Sequence, residues 1–516
     1  MSCLSTAIGR SYNSAAVVRE PCRAAAVAAA VLIVLAVSCA GRAAAAALPP
    51  TRLGANVSYV YTNGTYTPSD LSVASANGLG LVRIEAIQGT NMDAIVAWLA
   101  EAHLTLYPML GLPCPAGTTT CTEQTQIPPG TAASEMSQYI TAFAQRYGPD
   151  GTFWSQNPTL PYEPITRYEI GNEPNIRMIW VQDETHLHWP RPGNANFADM
   201  SDYAEVYEAA RAALHTVQPR GVAVVGGLAD SASYGVDVNS DTSLLRALTR
   251  GAVDAVGYHP WTYDVSDALM IPDTLQLRDW MNTNGYSGVP LDVNEFGACA
   301  VSGSSNGQSC SPAQSSATWG SVVASYTEWS LCTPWLHVAN VQPFYWGGVY
   351  NTAQDVWLPL VNADGTVTAY GTDYFREAKS LTATGCPAAQ SGTAPTNSAK
   401  PRIAGTAKVG STLTSKPGTW TGSPTPTLYY QWVRCDSQGP CAAIAGANNS
   451  TYALTSADQG SSIALIMDAG NVAGSVTVWT NRTDTIAASS RSRPENLCSL
   501  KPGASSIQKT GRQGTP

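Results

Sequence analysis

The chain has 516 residues, a formal net charge of −9 and only 13% charged residues. That length allows more than one core, since domains usually run to about 100–200 residues and barrels to about 250 or more. The acidic balance offers no basic surface for nucleic acid. The 14 Trp and 23 Tyr against 6 Phe supply amphipathic rings, which suit sugar faces and wet clefts as well as ordinary cores and interfaces.

Residues 1–23 are polar and carry Arg10, Arg19 and Arg23; they lead into an apolar run over 24–40 and small-residue cleavage sites over 43–47. This pattern predicts a secretory signal over 1–47 with a long basic n-region. The apolar run of about 17 residues is at the low edge of what spans a bilayer, so an uncleaved N-terminal anchor is the alternative. Ala36-Val37-Ser38-Cys39 faintly resembles a lipoprotein cleavage box but lacks the usual aliphatic residue three before the Cys. Of twelve cysteines, Cys3, Cys22 and Cys39 fall in this leader. Spacing suggests local pairs of Cys114 with Cys121, Cys299 with Cys310, Cys435 with Cys441, and Cys332 with Cys386, leaving Cys498 odd. Short closed loops of this kind belong to an oxidising compartment, and none has the repeated spacing of a zinc site.

From residue 51 to 383 short β-like runs alternate with longer helical ones, which predicts a parallel sheet with crossover helices. Strands are expected at 52–56, 80–85, 105–110, 167–171, 222–226, 255–259, 291–295 and 338–344. Helices fit at 69–77, 92–102, 132–147, 198–216, 243–249, 273–282, 313–330 and 373–380, several punctuated by Gly78, Gly148 or Pro219. Eight such rounds closing on themselves make a (β/α)8 TIM barrel over residues 48–386, whose functional residues sit at the C-terminal tips of the strands.

Two of those tips carry carboxylates: Glu173 ends Tyr168-Glu169-Ile170-Gly171-Asn172-Glu173-Pro174-Asn175, and Glu295 ends Pro290-Leu291-Asp292-Val293-Asn294-Glu295. A pair of carboxyl groups is what cleavage of a glycosidic bond needs, one to protonate the leaving oxygen and one to attack or to activate water. Gly171-Asn172-Glu173-Pro174 resembles the Asn-Glu-Pro signature of the large clan of retaining glycoside hydrolases on (β/α)8 barrels, clan A. The resemblance spans roughly residues 50–385 and is specific at the two Glu motifs. It implies that Glu173 on strand four is the acid/base and Glu295 on strand seven the nucleophile. Glu169 and Asp292 lie deeper in the same strands and read as structural.

The resemblance implies further roles. Arg83 on strand two would hydrogen-bond the nucleophile and favour its ionised form; an Arg paired with Glu85 or with a barrel-bottom carboxylate is the alternative. Asn172 would bind the sugar 2-hydroxyl. His259, in Gly257-Tyr258-His259-Pro260-Trp261, would hydrogen-bond Glu295 or substrate, or else be a structural His held by backbone. Tyr258 and Trp261 divide between site wall and core, with Tyr258 counted among the candidate substrate-binding residues. Trp346, in Phe344-Tyr345-Trp346-Gly347, would be the floor on which the sugar stacks, or would pack on the barrel rim. The long segment over 177–196, with Trp180, His186, His188 and Trp189, is expected to wall the cleft. His186 and His188 with Asp183 are not diagnostic of a metal, and the chemistry calls for no metal and no cofactor.

Residues 387–400 are rich in Pro, Ala, Ser and Thr and read as a linker. Over 401–486, short strand signals such as Leu428-Tyr429-Tyr430-Gln431-Trp432-Val433 and Val476-Thr477-Val478 predict a small all-β sandwich. Pro417-Gly418-Thr419-Trp420 and Ala457-Asp458-Gln459-Gly460 resemble the Ig-like modules appended to exported bacterial proteins. Such a module implies a spacer, a cell-surface attachment or a polysaccharide-binding role. Residues 487–516 are basic and poor in apolar residues and read as a disordered tail. The expected protein is a secreted or cell-surface retaining glycosidase acting on a polysaccharide or oligosaccharide. A transglycosylase, or a non-catalytic glycan- or wall-binding protein on the same scaffold, are the alternatives.

Overall fold

The structure is a computed structural model and describes residues 47–57, 68–111, 129–175, 200–229, 240–262, 270–298, 304–305, 308–309, 316–344, 359–362, 365–387, 391–436, 439–444 and 446–489. Eight parallel strands form one sheet in sequential order. They are β1 (Gly54–Asn56), β2 (Leu81–Ile87), β3 (Thr105–Gly111), β4 (Arg167–Asn172), β5 (Val222–Ala229), β6 (Ala255–His259), β7 (Leu291–Val293) and β8 (Val338–Val341). Parallel bridges from Leu53 to Val341 and from Asn56 to Phe344 bring the last strand back to the first, and Asn56 N donates to Pro343 O at 3.0 Å. The sheet is therefore the expected (β/α)8 barrel.

The crossovers are α1 (Pro68–Ala76), α2 (Asp93–Glu101), α3 (Pro129–Tyr147), α4 (Thr152–Gln156), α5 (Met200–Val217), α6 (Ser240–Ala247), α7 (Met270–Thr283), α8 (Ser316–Cys332) and α9 (Ala369–Thr384). α3 illustrates why they pack as they do. Met136, Ile140, Phe143, Ala144 and Tyr147 recur at helical spacing and are all buried, so one stripe faces the sheet. The short α4 was not expected; its Phe153 and Trp154 are buried beside Tyr147. Parallel strands covered on both faces read as continuous apolar runs, and β3 is buried at every position. Leu81, Tyr107, Val224 and Ala255 pack together as a separate small cluster, while the outward residues join the helices in the main core.

Strand ends differ from expectation in ways that matter for the site. β7 stops at Val293, so Glu295 lies past the strand rather than in it. β5 continues three residues further, to Ala229, and its register with β6 shifts between Val225 and Leu228. That shift falls on Gly226-Gly227, a pair that permits a close backbone approach and a bulge.

After the barrel come only antiparallel pairings: β9 (Thr393–Ala399) with β12 (Thr419–Ser423), β11 (Thr412–Lys416) between β10 (Arg402–Ala404) and β15 (Thr451–Ala453), and the order β14 (Cys441–Ala443), β13 (Thr427–Cys435), β16 (Ser462–Asn471), β17 (Gly474–Trp479). These enclose Leu413, Trp432, Leu454, Ile463, Leu465, Met467 and Ile486, so the C-terminal part is an all-β sandwich. β9 lies inside the stretch expected to be a linker. Its Thr396 and Asn397 pair with Thr421 and Trp420, and backbone pairing of this kind needs little apolar content.

Disulfides join Cys332 to Cys386 and Cys435 to Cys441, as expected. The first spans 54 residues and ties the end of α8 to the residue pair beyond α9, a closure worth about 4 kcal/mol on the chain-entropy account. Cys114, Cys121, Cys299, Cys310 and Cys498 lie outside the described residues, as do the leader and the basic tail. Among the described residues no helix is long and apolar enough to cross a membrane.

The sandwich rests on α7. Gln276 Nε2 donates to Asp468 Oδ2 at 2.9 Å and Thr477 N donates to Asp279 Oδ2 at 3.3 Å, while Gly470 leaves room for Leu275. Asp468 is buried, and burial pushes its carboxyl up to about 8, opposed by the hydrogen bonds from Thr477 and Gln276 and reinforced by Asp279. A carboxyl raised on folding binds a proton that the unfolded chain has lost, so this seam is strongest below about pH 4 and weakens as pH rises through about 8. Asp468→Asn is expected to raise the thermal midpoint over that of the wild type far more at pH 8.5 than at pH 5, since the roughly three pH units of linkage between them amount to about 4 kcal/mol. Calorimetric scans at the two pH values check this.

Candidate active site

The C-terminal mouth of the barrel gathers Asn56 from β1, Arg83 from β2, Glu169 and Asn172 from β4, His259 from β6, and Glu173 and Glu295 just beyond β4 and β7. All but Asn172 are buried. His259 Nδ1 stands 2.9 Å from Glu173 Oε1 and 2.8 Å from Glu295 Oε2. Carboxylate and imidazole atoms of the three lie within 4.8 Å of one another. The two carboxylates from distant parts of the sequence are thus brought together, with an imidazole between them.

His259 is fully buried. Burial alone would push its imidazole down, but the Glu295 charge and the hydrogen bonds the ring donates to both carboxylates outweigh that and hold it up at about 9. At neutral pH the ring is held as a cation between the two carboxyl groups. The group of atoms close enough to hold a metal ion among the described residues is this same trio.

Glu173 sits in an unusual backbone. Its φ is 45°, in the left-handed region, and follows Gly171 at φ 73°. A non-glycine residue held there costs on the order of 1–3 kcal/mol and persists only when its surroundings fix it. Two sets of bonds from β5 do so: Glu173 N donates to Gly227 O at 2.9 Å, and Asn175 closes a two-bond clamp on Ala229, with Nδ2 donating to its O at 2.8 Å and Oδ1 accepting from its N at 2.9 Å. Pro174 between them fixes one more φ.

Arg83 forms a fork with Glu169, with Nε to Oε2 at 2.6 Å and Nη2 to Oε1 at 2.9 Å, and Nη2 also donates to Asn172 Oδ1 at 2.7 Å. Its guanidinium is completely buried; the desolvation that would lower its pKa is overcome first by Glu169, with Glu295 contributing at longer range. The pairing is therefore with a carboxylate on β4, and Glu295 feels Arg83 through its field. Glu295 Oε1 takes a 3.4 Å hydrogen bond from Asn56 Nδ2. Asp292, one strand layer deeper, accepts from Tyr107 and from both nitrogens of the Arg167 fork, so it and Glu169 are each occupied by an arginine.

Tyr258 is not brought to the cleft. Alternation along β6 turns it away from His259 into the main core. Trp261 is buried edge-on against Phe344, with centroids 5.5 Å apart. Trp346 and residues 177–196 lie outside the described residues.

Asn56, Asn175 and Gly227 were not picked out from sequence. Asn56 ends a strand, and the strand-tip rule was signal enough. Asn175 and Gly227 act through backbone contacts that no residue type announces.

The sequence matches no protein-family model and no curated protein. Among solved structures the chain is similar to a family 39 glycoside hydrolase from the gut symbiont Bacteroides cellulosilyticus, at 12% identity over 83% of this chain and 81% of that one, TM-score 0.44. It is also similar to GH5_18 from Streptomyces cattleya in complex with GlcNAc, at 14% identity over 68% and 84%, TM-score 0.47. A third is a glucosidase from Croceicoccus marinus, at 11% identity over 85% and 94%, TM-score 0.46. Likeness this remote assigns neither a reaction nor a substrate, and the geometry of the site has to carry the functional reading.

The cation at His259 has a signed consequence for stability. Its imidazole is raised on folding above the ordinary 6.5, so its contribution is fully present below about pH 6.5 and is lost as pH rises through about 9. His259→Asn is expected to cost on the order of 3 kcal/mol at pH 6, and the gap to wild type is expected to close by pH 10. Urea midpoints across that range measure it.

Proposed function

We propose that the chain is a secreted glycosidase that hydrolyses O-glycosidic bonds of a polysaccharide or oligosaccharide by double displacement. The observation that carries this reading is the pair Glu173 and Glu295 at the mouth of the barrel, with oxygens within 4.8 Å of each other. A gap of about 5–5.5 Å between carboxyl groups lets one of them attack directly and gives retention, whereas roughly 6.5–9.5 Å would admit a water and give inversion.

Glu295 is the nucleophile in this scheme. The field of Arg83 and the hydrogen bond from Asn56 favour its ionised form. Glu173 protonates the leaving oxygen as Glu295 bonds to the anomeric carbon. Glu173 then takes a proton from the water that displaces Glu295, which restores both groups. Asn172, held by Arg83, is available to the sugar 2-hydroxyl. His259, with Nδ1 against both Glu173 and Glu295, holds the two carboxyl groups in place relative to each other. Trp346 is the proposed stacking floor of the cleft and completes the Asn-Glu-Pro clan resemblance.

Residues 48–386 form the hydrolase domain and 401–486 an Ig-like attachment or spacer module, behind an N-terminal leader over 1–47. Two disulfides support an oxidising, extracellular setting.

The test is turnover of aryl β-glycosides and polysaccharides by wild type, Glu295→Ala and Glu173→Ala, with azide added to the variants. Glu295→Ala is expected to lose at least ~10⁴-fold in kcat and to give an α-glycosyl azide. Glu173→Ala is expected to keep activity on substrates with activated leaving groups and to give the β-azide. A wild type that binds one of the polysaccharides and cleaves nothing would replace the hydrolase with a binding protein.

A further inference from the structure

We propose that Gly227, on the bulge of β5, is the positioning residue of the site: its missing side chain is the slot that seats the His259 ring between Glu173 and Glu295. The argument is steric. A Cβ on Gly227 would lie 1.8 Å from His259 Nε2, 2.4 Å from Cδ2 and 2.5 Å from Cε1. No carbon approaches a ring so closely, so any side chain at 227 moves the imidazole. Ring and slot are on adjacent strands, and the bulge between Val225 and Leu228 is what brings the glycine level with the ring.

The edge of the ring supports the same assignment. His259 Nε2 is buried without a hydrogen-bond partner among the described residues. Its position is fixed by contact with Gly227 on that side and by the two carboxylates at Nδ1 on the other. The backbone of Gly227 serves the same constellation. Its N–H donates to Glu169 Oε1 at 2.9 Å, and its carbonyl accepts from Glu173 N at 2.9 Å. One residue with no side chain thus touches the base of the Arg83 fork, the left-handed turn of Glu173 and the back of His259. The catalytic role of this arrangement rests on the glycosidase reading; the seating of the ring does not.

Gly227→Ala tests the slot, and the atoms in the way are the far end of a side chain, so the ring yields before the strand does. The chain has six histidines, few enough to follow by NMR, and the spectrum of His259→Asn identifies the signal. In the wild type this imidazole is expected to titrate at about 9; in Gly227→Ala it is expected to fall by about two units towards the ordinary value.

With a substrate in hand, kcat is expected to fall ~10²-fold with KM little changed, the size of effect that an ångström of misplacement produces. In a His259→Ala background the same Gly227→Ala change is expected to alter kcat by less than about 2-fold and to leave the thermal midpoint where His259→Ala puts it, since the two substitutions act through one contact. An unshifted imidazole in folded Gly227→Ala overturns the proposal. So does an equal loss of kcat, or of stability, in both backgrounds. If the wild type turns over no glycoside, the hydrolase reading fails while the titration and the stability cycle still decide the slot.

Discussion

A guanidinium sealed inside a barrel must be fully paired, because an isolated buried charge costs several kcal/mol. Arg83 meets that demand through both oxygens of Glu169 and through Asn172, and this requirement organises the mouth of the barrel. Glu169 in turn takes the Gly227 amide, and Gly227 holds the backbone of Glu173. Position is therefore passed from the most strongly constrained ion pair, through one strand, to the carboxylate in the strained turn. Nothing in this relay needs a flexible loop, which suits a site that must hold reacting groups to within a fraction of an ångström.

The charge arithmetic of the two interior layers differs. In the lower layer Asp292 is met by Arg167 and by the Tyr107 hydroxyl, so its charge is balanced within the barrel. Near the mouth, Arg83 and Glu169 cancel, and one imidazole faces two carboxylates. The upper layer so keeps two carboxyl groups and an imidazole in contact, where the lower layer holds its carboxylate on an arginine fork.

Much of this was legible in the sequence. Strand positions followed from short apolar runs between helical stretches, and the carboxylates followed from their places at the ends of two such runs. What was not legible depended on angles. Whether Tyr258 or His259 faced the interior is a question of strand phase, and a one-residue change reverses it. The partner of Arg83 depended on depth within the barrel, which spacing along a strand does not give. Asn175 and Gly227 are a short polar residue and a glycine, types found in every turn, and only the backbone atoms opposite them reveal what they hold. The stretch before the sandwich looked like a linker because β9 is held by main-chain pairing rather than by apolar side chains.

The seam along α7 makes one short helix answer to two cores. Leu275 and Leu277 belong to the barrel, while Leu275 also abuts Gly470, and Gln276 and Asp279 bond the sandwich. A chain cut after the barrel would turn Leu275 out to water and exchange the bonds of Gln276 and Asp279 to the sandwich for bonds to solvent. The C-terminal sandwich is in that respect part of the barrel's own surface, and its removal would alter the solubility of the barrel as well as the length of the chain.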